Sequence, residues 1–586
     1  MARYFQTKDY ERTVPVSMKL LKFLWGMSQP MRLYMWVSLV VMLLATGFDL
    51  IRPYLMKVAI DSHMQTGNIE GLAQLAALYA ASIGATAMFS YIQTVLLQYI
   101  GQTIILGARQ KIFRHLLYRP YAELEGQPVG RMVTRVTNDT DALKELYTDV
   151  IVSFASNILT LIGIMLVMLA LDWRLALVSY AVLPFMVAST LLYQRYARLA
   201  YRLVREKTAL VNSFVQENLN GAPIVKAFAR FQTTGEEFRK LSDQYLAAGF
   251  KEMRTFAIFR PLVDLIYTLA VALVLWLGGW DGKTGLEIGV LVAFLRYVEK
   301  FFWPIKDLAE KFGSLQSALA AAERVYDLLA EEPSPEMTPC AEPLDAFRGS
   351  VSFEDVWFAY QNEDWVLRGV TINIEPGEFA GVVGLSGSGK TTLVSLLLRF
   401  YEPQRGVIRL DGIDIRDLPL PVLRRKVGVV FQDVHLFQGS IADNISLYHQ
   451  EISRSSVESA SRIASLHATV TQMPQGYDTP IGYQGALLSA GQRQLLSLAR
   501  ALASQPDILV LDEATSNIDS QTEQHVQEAL AAISEQRTIL AVAHRLSTIQ
   551  QADKIFVMSR GRVAEAGRHA DLLAKRGLYF RLYSSQ

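Results

Sequence analysis

Residues 72–108 contain no Asp, Glu, Lys or Arg, a run far longer than a buried helix in a soluble domain needs. Residues 150–171 and 175–194 are uncharged as well. Each of the three reaches the roughly 20 apolar residues that carry a helix across the hydrocarbon core of a bilayer. Residues 33–58 form a fourth candidate span, interrupted by Asp49, Arg52 and Lys57, and residues 262–280 a fifth that carries only Asp264. A sixth, residues 286–303, is weak by hydropathy because it holds Glu287, Arg296, Glu299 and Lys300. Ahead of them all, residues 16–25 mix Met18, Leu20, Leu21, Phe23, Leu24 and Trp25 with Lys19 and Lys22, which suits a short helix lying in the membrane interface. Polar, helix-compatible sequence over residues 107–149 and 195–260 predicts long helical hairpins projecting beyond the bilayer. The proline-rich run from Glu331 through Pro343 breaks the last helix and marks a boundary.

From Val351 the pattern changes to short β-rich runs alternating with helices and glycine-containing turns, an α/β signature. The expected architecture is an α-helical membrane domain (six transmembrane helices with long cytoplasmic extensions) fused to an α/β P-loop domain. The boundaries expected are 1–335 for the membrane domain, 336–348 for a linker and 349–586 for the α/β domain.

Composition sharpens this division. Hydrophobic residues make up 51% of the 586 and charged ones 19%, against about 25% charged in an ordinary soluble domain. Lys+Arg (57) nearly balances Asp+Glu (56), so no basic excess argues for nucleic acid. The single cysteine, Cys340, excludes an internal disulfide framework and a cysteine-cluster metal site. The polar stretch through Arg12 is expected not to be a signal peptide.

The chemistry lies in the C-terminal part. An apolar run over residues 379–383 leads into Gly384-Leu385-Ser386-Gly387-Ser388-Gly389-Lys390-Thr391 and then an apolar helix to Phe400. This is a phosphate-binding loop in its strand–loop–helix setting. Its glycines let backbone N–H groups converge on phosphate oxygens, and the helix N-terminus adds a favourable dipole. Lys390 is expected at the β/γ-phosphates and the Thr391 hydroxyl on Mg²⁺; Gly384, Ser386, Gly387, Ser388, Gly389 and Thr392 complete the cradle. Farther on, Ile508-Leu509-Val510-Leu511 ends in Asp512-Glu513. Asp512 suits an Mg²⁺ partner and Glu513 a base or polariser for attacking water. Two further runs end at Gln432 and His544, so four polar groups are expected at the carboxyl ends of strands, where ligands bind in open α/β sheets.

Between Gln432 and the paired carboxylates lies Leu488-Ser489-Ala490-Gly491-Gln492, heading a helical stretch. Taken together, the phosphate loop, Gln432, this signature, Asp512-Glu513, Ser516-Asn517-Ile518-Asp519 and His544 strongly resemble an ATP-binding cassette (ABC). The resemblance extends over essentially the whole chain and is to a bacterial ABC exporter half-transporter of multidrug type. It implies that Tyr360 stacks on adenine, that Gln432 senses Mg²⁺, and that His544 contacts the γ-phosphate. It also implies that Ser489, Gly491 and Gln492 complete the ATP site of a second half-transporter. The expected cofactors are ATP and Mg²⁺, and the expected setting is a lipid bilayer, the bacterial inner membrane, with no nucleic acid partner. The cargo is expected to be an amphipathic small molecule, a drug or lipid, with peptide as an alternative.

Two departures from the family pattern bear on the partner. Ala490 stands where the signature has glycine, and Gly482-Tyr483-Gln484-Gly485 stands where exporters usually carry Gly-Glu-Arg-Gly. An altered signature beside an intact catalytic half resembles one subunit of a heterodimer, favoured slightly over a homodimer.

Topology follows from charge. Lys and Arg crowd residues 109–144 and 195–260, whereas residues 61–70 contain neither, which places the basic segments in the cytoplasm. An ATP-binding C-terminal domain must share that side, so the number of crossings is even and the sixth segment is expected to span. Charges within spans are costly unless paired or facing water. Arg296 and Asp264 are therefore candidates to line a substrate pathway, whereas Asp49 with Arg52, and Glu299 with Lys300, are expected to pair structurally. Two other classes fit the sequence less well. A soluble cassette ATPase of DNA maintenance is disfavoured by the uncharged span 72–108, and a nucleotide-gated channel by the presence of Glu513.

Overall fold

A computed structural model describes residues 17–280, 287–330, 347–482, 485, 488–512, 520–534, 537–543 and 545–585. The chain divides into two compact units: residues 1–116 with 129–332, and residues 117–128 with 333–586.

The first unit is helical. Its principal elements are α1 (Met18–Met27), α2 (Arg32–Val58) and α3 (Ile69–Leu117). In the second unit follows the short α4 (Tyr121–Glu125), and back in the first come α5 (Ile151–Leu171), α6 (Leu183–Asn220), α7 (Phe231–Trp280) and α8 (Ile288–Ala330). Ser17 caps α1 by accepting from the Leu20 N–H at 3.2 Å. Leu20 and Leu24 on one side of α1 are buried, while Met18, Leu21 and Trp25 on the other stay exposed. Among the described residues five helices, not the six expected, are long and apolar enough to cross a membrane: Gln29–Met64, Ile69–Leu117, Val129–Leu171, Trp173–Asn220 and Phe231–Leu277. The sixth candidate sits at the start of α8. It is a long helix, but Arg296, Glu299, Lys300, Lys306 and Asp307 dilute its apolar run.

Some charges in this unit join one helix to another. The Lys300 ammonium lies 2.6 Å from the Asp49 carboxylate, and Arg52 lies 3.1 Å from the same group. The Tyr297 hydroxyl donates to the Leu50 carbonyl at 2.7 Å. Deeper along α8, Asp307 accepts from Asn157 at 2.7 Å and Lys311 meets Asp149 at 2.7 Å.

The second unit is built on two large sheets, beside a short pairing of residues 439–440 with 480–481. A four-stranded antiparallel sheet has the order β2-β1-β4-β5, with β1 (Val351–Ala359), β2 (Trp365–Ile374), β4 (Arg405–Leu410) and β5 (Ile413–Asp414). The second sheet has six strands in the order β10-β9-β3-β8-β7-β6. These are β3 (Phe379–Gly384), β6 (Val427–Val430), β7 (Ile508–Asp512), β8 (Thr538–Val542), β9 (Lys554–Ser559) and β10 (Arg562–Gly567). All neighbours are parallel except the β9–β10 hairpin. The central strands are buried on both faces, as parallel sheets are. Alternate residues face opposite cores: Phe379, Leu509, Leu511, Ile539 and Ala541 join one apolar cluster, and Ala380, Val382, Val510, Leu540 and Val542 join the other. That alternation is the period-2 geometry of a strand. It leaves only the strand ends for polar chemistry.

Candidate nucleotide site

Register places those ends together. Val542 of β8 sits beside Val382 of β3 on one side and Asp512 of β7 on the other, and Val430 of β6 sits beside Leu511. The phosphate loop, Asp512 and Gln432 therefore emerge at the same edge of the sheet.

The loop itself needs its glycines at two positions. Gly387 and Gly389 have φ of 77° and 100°, the left-handed region that a Cβ disfavours. A Cβ on Gly384 would also stand 2.3 Å from the Met558 carbonyl oxygen, so β9 can lie against the loop only because that side chain is missing. Lys390 opens helix α9 (Lys390–Leu397) and is buried, 5% exposed. Its ammonium donates to the carbonyls of Gly384 at 2.9 Å and Leu385 at 3.3 Å. The backbone thus holds the cation under the loop, pointed at the space the loop encloses. The Ser388 hydroxyl oxygen is shielded from solvent with no hydrogen-bond partner among the described residues. A buried hydroxyl without a partner is rare and costly, and a phosphate oxygen would satisfy it.

The Thr391 hydroxyl lies 3.4 Å from a carboxylate oxygen of Asp512, which is 4% exposed. A hydroxyl and a carboxylate converging beside a phosphate cradle form the hard-oxygen donor set that Mg²⁺ takes when it also binds phosphates. Gln432 follows β6 and is exposed. Ser386 and Gly387 are exposed at the loop tip, and Thr392 is buried one turn into α9. Glu513, His544 and the run Ser516–Asn517–Ile518–Asp519 lie outside the described residues, as do Tyr483, Gln484 and the proline-rich segment 331–346.

Tyr360 is 47% exposed, and its hydroxyl is 3.1 Å from that of Thr392. Its ring meets Phe358 and Tyr401 edge-on, with centroids 4.8 and 5.1 Å away. Tyr401 in turn donates to the Glu125 carboxylate on α4, and Tyr121 of α4 stacks on Phe400 with centroids 4.6 Å apart. Burial, joined by the Glu125 carboxylate, pushes the Tyr401 phenol above its ordinary value, and the Tyr121 phenol rises for the same reasons. Tyr401, Tyr121 and Glu125 were not singled out from sequence. The Phe400-Tyr401 pair directly after α9 was the available signal, but nothing local told which aromatic residues would meet.

The signature residues sit elsewhere, at the start of α10 (Ala490–Ala503). Ser489 and Gln492 form a reciprocal capping box: the Gln492 N–H donates to the Ser489 hydroxyl at 3.2 Å, and the Ser489 N–H to the Gln492 side chain at 2.9 Å. Ala490 is exposed and Gly491 buried. In this state the capping box itself occupies the N–H groups of Ser489 and Gln492 at the start of the helix.

The two pathway candidates lie in the first unit and differ from each other. Arg296 pairs with Glu299 at 3.1 Å, both more than half exposed. Asp264 is exposed, and its carboxylate makes no ion pair or hydrogen bond among the described residues.

Comparison with known proteins agrees with this geometry. The family described as ABC transporter transmembrane region matches residues 35–305, and the family described as ABC transporter matches residues 367–516. The chain is 35% identical over 523 residues to the probable multidrug resistance ABC transporter ATP-binding/permease protein YheH of Bacillus subtilis, covering 88% of this chain and 77% of that one. It is 32% identical to the ATP-dependent lipid A-core flippase of Syntrophus aciditrophicus, covering 94% and 92%. It is 35% identical to a fatty acid ABC transporter ATP-binding/permease protein of Mycobacterium bovis, covering 87% and 80%. Among solved structures it resembles a bacterial Atm1-family ABC exporter with ATP bound, with a TM-score of 0.79 and 26% identity, covering 95% of this chain and 98% of that one.

Proposed function

The chain belongs to the ABC transporter family, and on that premise we propose that it is one half of an exporter of amphipathic drugs or lipids. It is a multi-pass membrane protein with a cytoplasmic nucleotide-binding domain, and ATP hydrolysis there drives translocation by alternating access. The observation that carries the reading is the buried Lys390 under a glycine loop, beside an unpartnered Ser388 hydroxyl and the Thr391–Asp512 pair. Relatives named for probable multidrug resistance, for fatty acid and for lipid A-core support that substrate class.

In this reading Tyr360 stacks on adenine. Residues 384 and 386–389 bind the phosphates with their backbone, and Lys390 and Thr392 add side-chain donors. Thr391, Asp512 and Gln432 would hold Mg²⁺, which supplies charge neutralisation on the phosphates when bound. Glu513 takes a proton from attacking water, and His544 contacts the γ-phosphate. The domains run 1–335, 336–348 and 349–586.

We also propose that α8 supplies a sixth span. Lys300 is matched by Asp49 and Arg296 by Glu299, so its charges enter paired, which lowers their cost in hydrocarbon. Arg296 and Asp264 are proposed to face the substrate. The partner is a second half-transporter, which we propose to be a different chain. Ala490 puts a methyl group at the outward end of α10, where glycine would allow closer approach to phosphate. In the heterodimer one ATP site is fast and the other slow.

The test is reconstitution of the full chain in liposomes with a panel of amphiphilic drugs, lipids and peptides, scoring ATPase stimulation and ATP-dependent transport. Absence of nucleotide-dependent transport for every compound, with folding intact, would refute the export reading. A stable dimer of this chain alone with two equivalent, fully active sites would refute the heterodimer and leave export standing.

A further inference from the structure

A cavity of about 200 Å³ opens within the first unit, between α1, α2, α3 and α5. Met35, Leu39, Met42, Leu97 and Ile151 wall it, and no acidic residue lines it. Trp25 and Arg32 also line it. The Arg32 guanidinium lies over the Trp25 ring, 4.7 Å from its centroid, and its terminal nitrogen donates to the Trp25 carbonyl at 3.3 Å. The Arg32 Nε is shielded from solvent and has no hydrogen-bond partner among the described residues. A cationic N–H left without an acceptor is costly to bury, so an oxygen supplied from outside the protein would be favoured there.

The surroundings identify the source of that oxygen. Helix α1 turns Met18, Leu21 and Trp25 outward while Leu20 and Leu24 pack inward. It also carries exposed Lys19 and Lys22. An outward apolar stripe flanked by lysines lies in the membrane interface, with its cations at headgroup level. Tryptophan is enriched at that same depth, and both Trp25 and Trp36 line the cavity. The first span begins here, on the side where the positive-inside rule puts the cytoplasm. Anionic lipids of that leaflet attract basic side chains.

We propose that this cavity holds one anionic phospholipid of the cytoplasmic leaflet. Its phosphate accepts from Arg32 Nε, and one acyl chain lies in the slot walled by Met35, Leu39 and Met42. The lipid is a resident ligand that fixes α1 against α2, while the bond from the Tyr147 hydroxyl to the Leu24 carbonyl at 2.7 Å ties α1 to the segment ahead of α5.

Native mass spectrometry of the full chain in detergent tests this, titrating dioleoyl phosphatidylglycerol against dioleoyl phosphatidylcholine. One phosphatidylglycerol per chain is expected to bind more tightly than phosphatidylcholine. Arg32→Gln should weaken it roughly tenfold, and Arg32→Lys should recover part of the loss. Ser38 also lines the cavity, and Ser38→Leu, which adds bulk there without touching the charge, should weaken binding too. Excess inorganic phosphate should fail to displace the lipid. The proposal is overturned if folded Arg32→Gln protein binds phosphatidylglycerol as the parent does, if the two lipids bind alike, or if inorganic phosphate displaces the lipid.

Discussion

The cassette and the membrane helices bury their apolar residues to opposite degrees. In the cassette, Leu540 is 1% exposed and Ile508, Val510 and Ile555 are fully buried. In the membrane unit, Leu166 is 62% and Leu191 60% exposed, although both lie within candidate spans. The difference follows from the solvent. Water drives apolar side chains inward at about 25 cal/mol per Å², whereas lipid tails are as apolar as leucine and exert no such force. The cassette therefore specifies its fold through buried strands and keeps its charges for the strand ends. The membrane unit relies on close packing and a few interhelical polar links such as Lys300–Asp49.

The sharpest way to break that contrast is to strike the strand-end charges. Glu513→Gln is expected to retain ATP binding and lose steady-state hydrolysis by roughly a hundredfold or more, since glutamine keeps the shape but cannot accept a proton. Lys390→Ala should instead weaken nucleotide binding itself. Near-normal turnover in Glu513→Gln protein that still binds ATP would remove the assignment. A binding isotherm beside a phosphate-release assay separates the two.

Next comes burial. Leu540→Ala should destabilise the cassette by about 2–5 kcal/mol through lost transfer energy and the cavity left behind. Leu166→Ala on the exposed face of α5 should stay within about 0.5 kcal/mol. Thermal melts of both variants in the same detergent make the comparison, and equal shifts would show that the two units do not differ in this way.

Much of the cassette was legible from sequence, for a reason tied to the same contrast. A glycine loop flanked by a buried strand and an apolar helix has one geometry, and register then carries Asp512 and Gln432 to the same edge. The membrane charges were less legible. Glu299 and Lys300 were expected to pair, yet Lys300 meets Asp49 and Glu299 meets Arg296. Adjacent residues on a helix point in different directions, whereas residues three or four apart are neighbours; the i,i+3 pairs Asp49–Arg52 and Arg296–Glu299 obey that rule. Hydropathy scored the start of α8 below the other spans because it cannot register a charge neutralised by a distant helix. The link from Tyr401 to Glu125 was hidden likewise, since it joins residues 276 apart in sequence.

A smaller effect tests whether polar links also matter in the cassette. Asp411 accepts from the backbone N–H groups of Arg348, Gly349 and Ser350 at 2.7, 3.1 and 2.8 Å. Burial alone would raise its pKa, but the three donors outweigh it and hold the carboxyl below its ordinary 3.8. A depressed carboxyl contributes stability that is present above 3.8 and fades as pH falls through its lower, folded value. Asp411→Asn should therefore melt earlier than the parent near neutral pH, and the gap should close in acid below about pH 4. A gap that stays constant down to acid would mean that the charge is irrelevant.

Another small effect on stability is expected in the membrane unit. Arg296 and Glu299 are 55% and 57% exposed, and facing a water-filled substrate pathway, as proposed above, such an ion pair is worth at most about 1 kcal/mol. Arg296→Ala should leave the melting temperature nearly unchanged. If Arg296 faces the substrate, the same variant should alter the concentration at which amphiphiles stimulate ATPase, most for charged ones, because a guanidinium discriminates by charge. Basal ATPase should hold steady, since the nucleotide residues are untouched. Arg296→Lys, which keeps the charge and loses the planar fork, should fall between. A stimulation profile identical to the parent's across the whole panel would make Arg296 a partner of Glu299 and nothing more, and would leave the unpaired Asp264 as the remaining charge to examine.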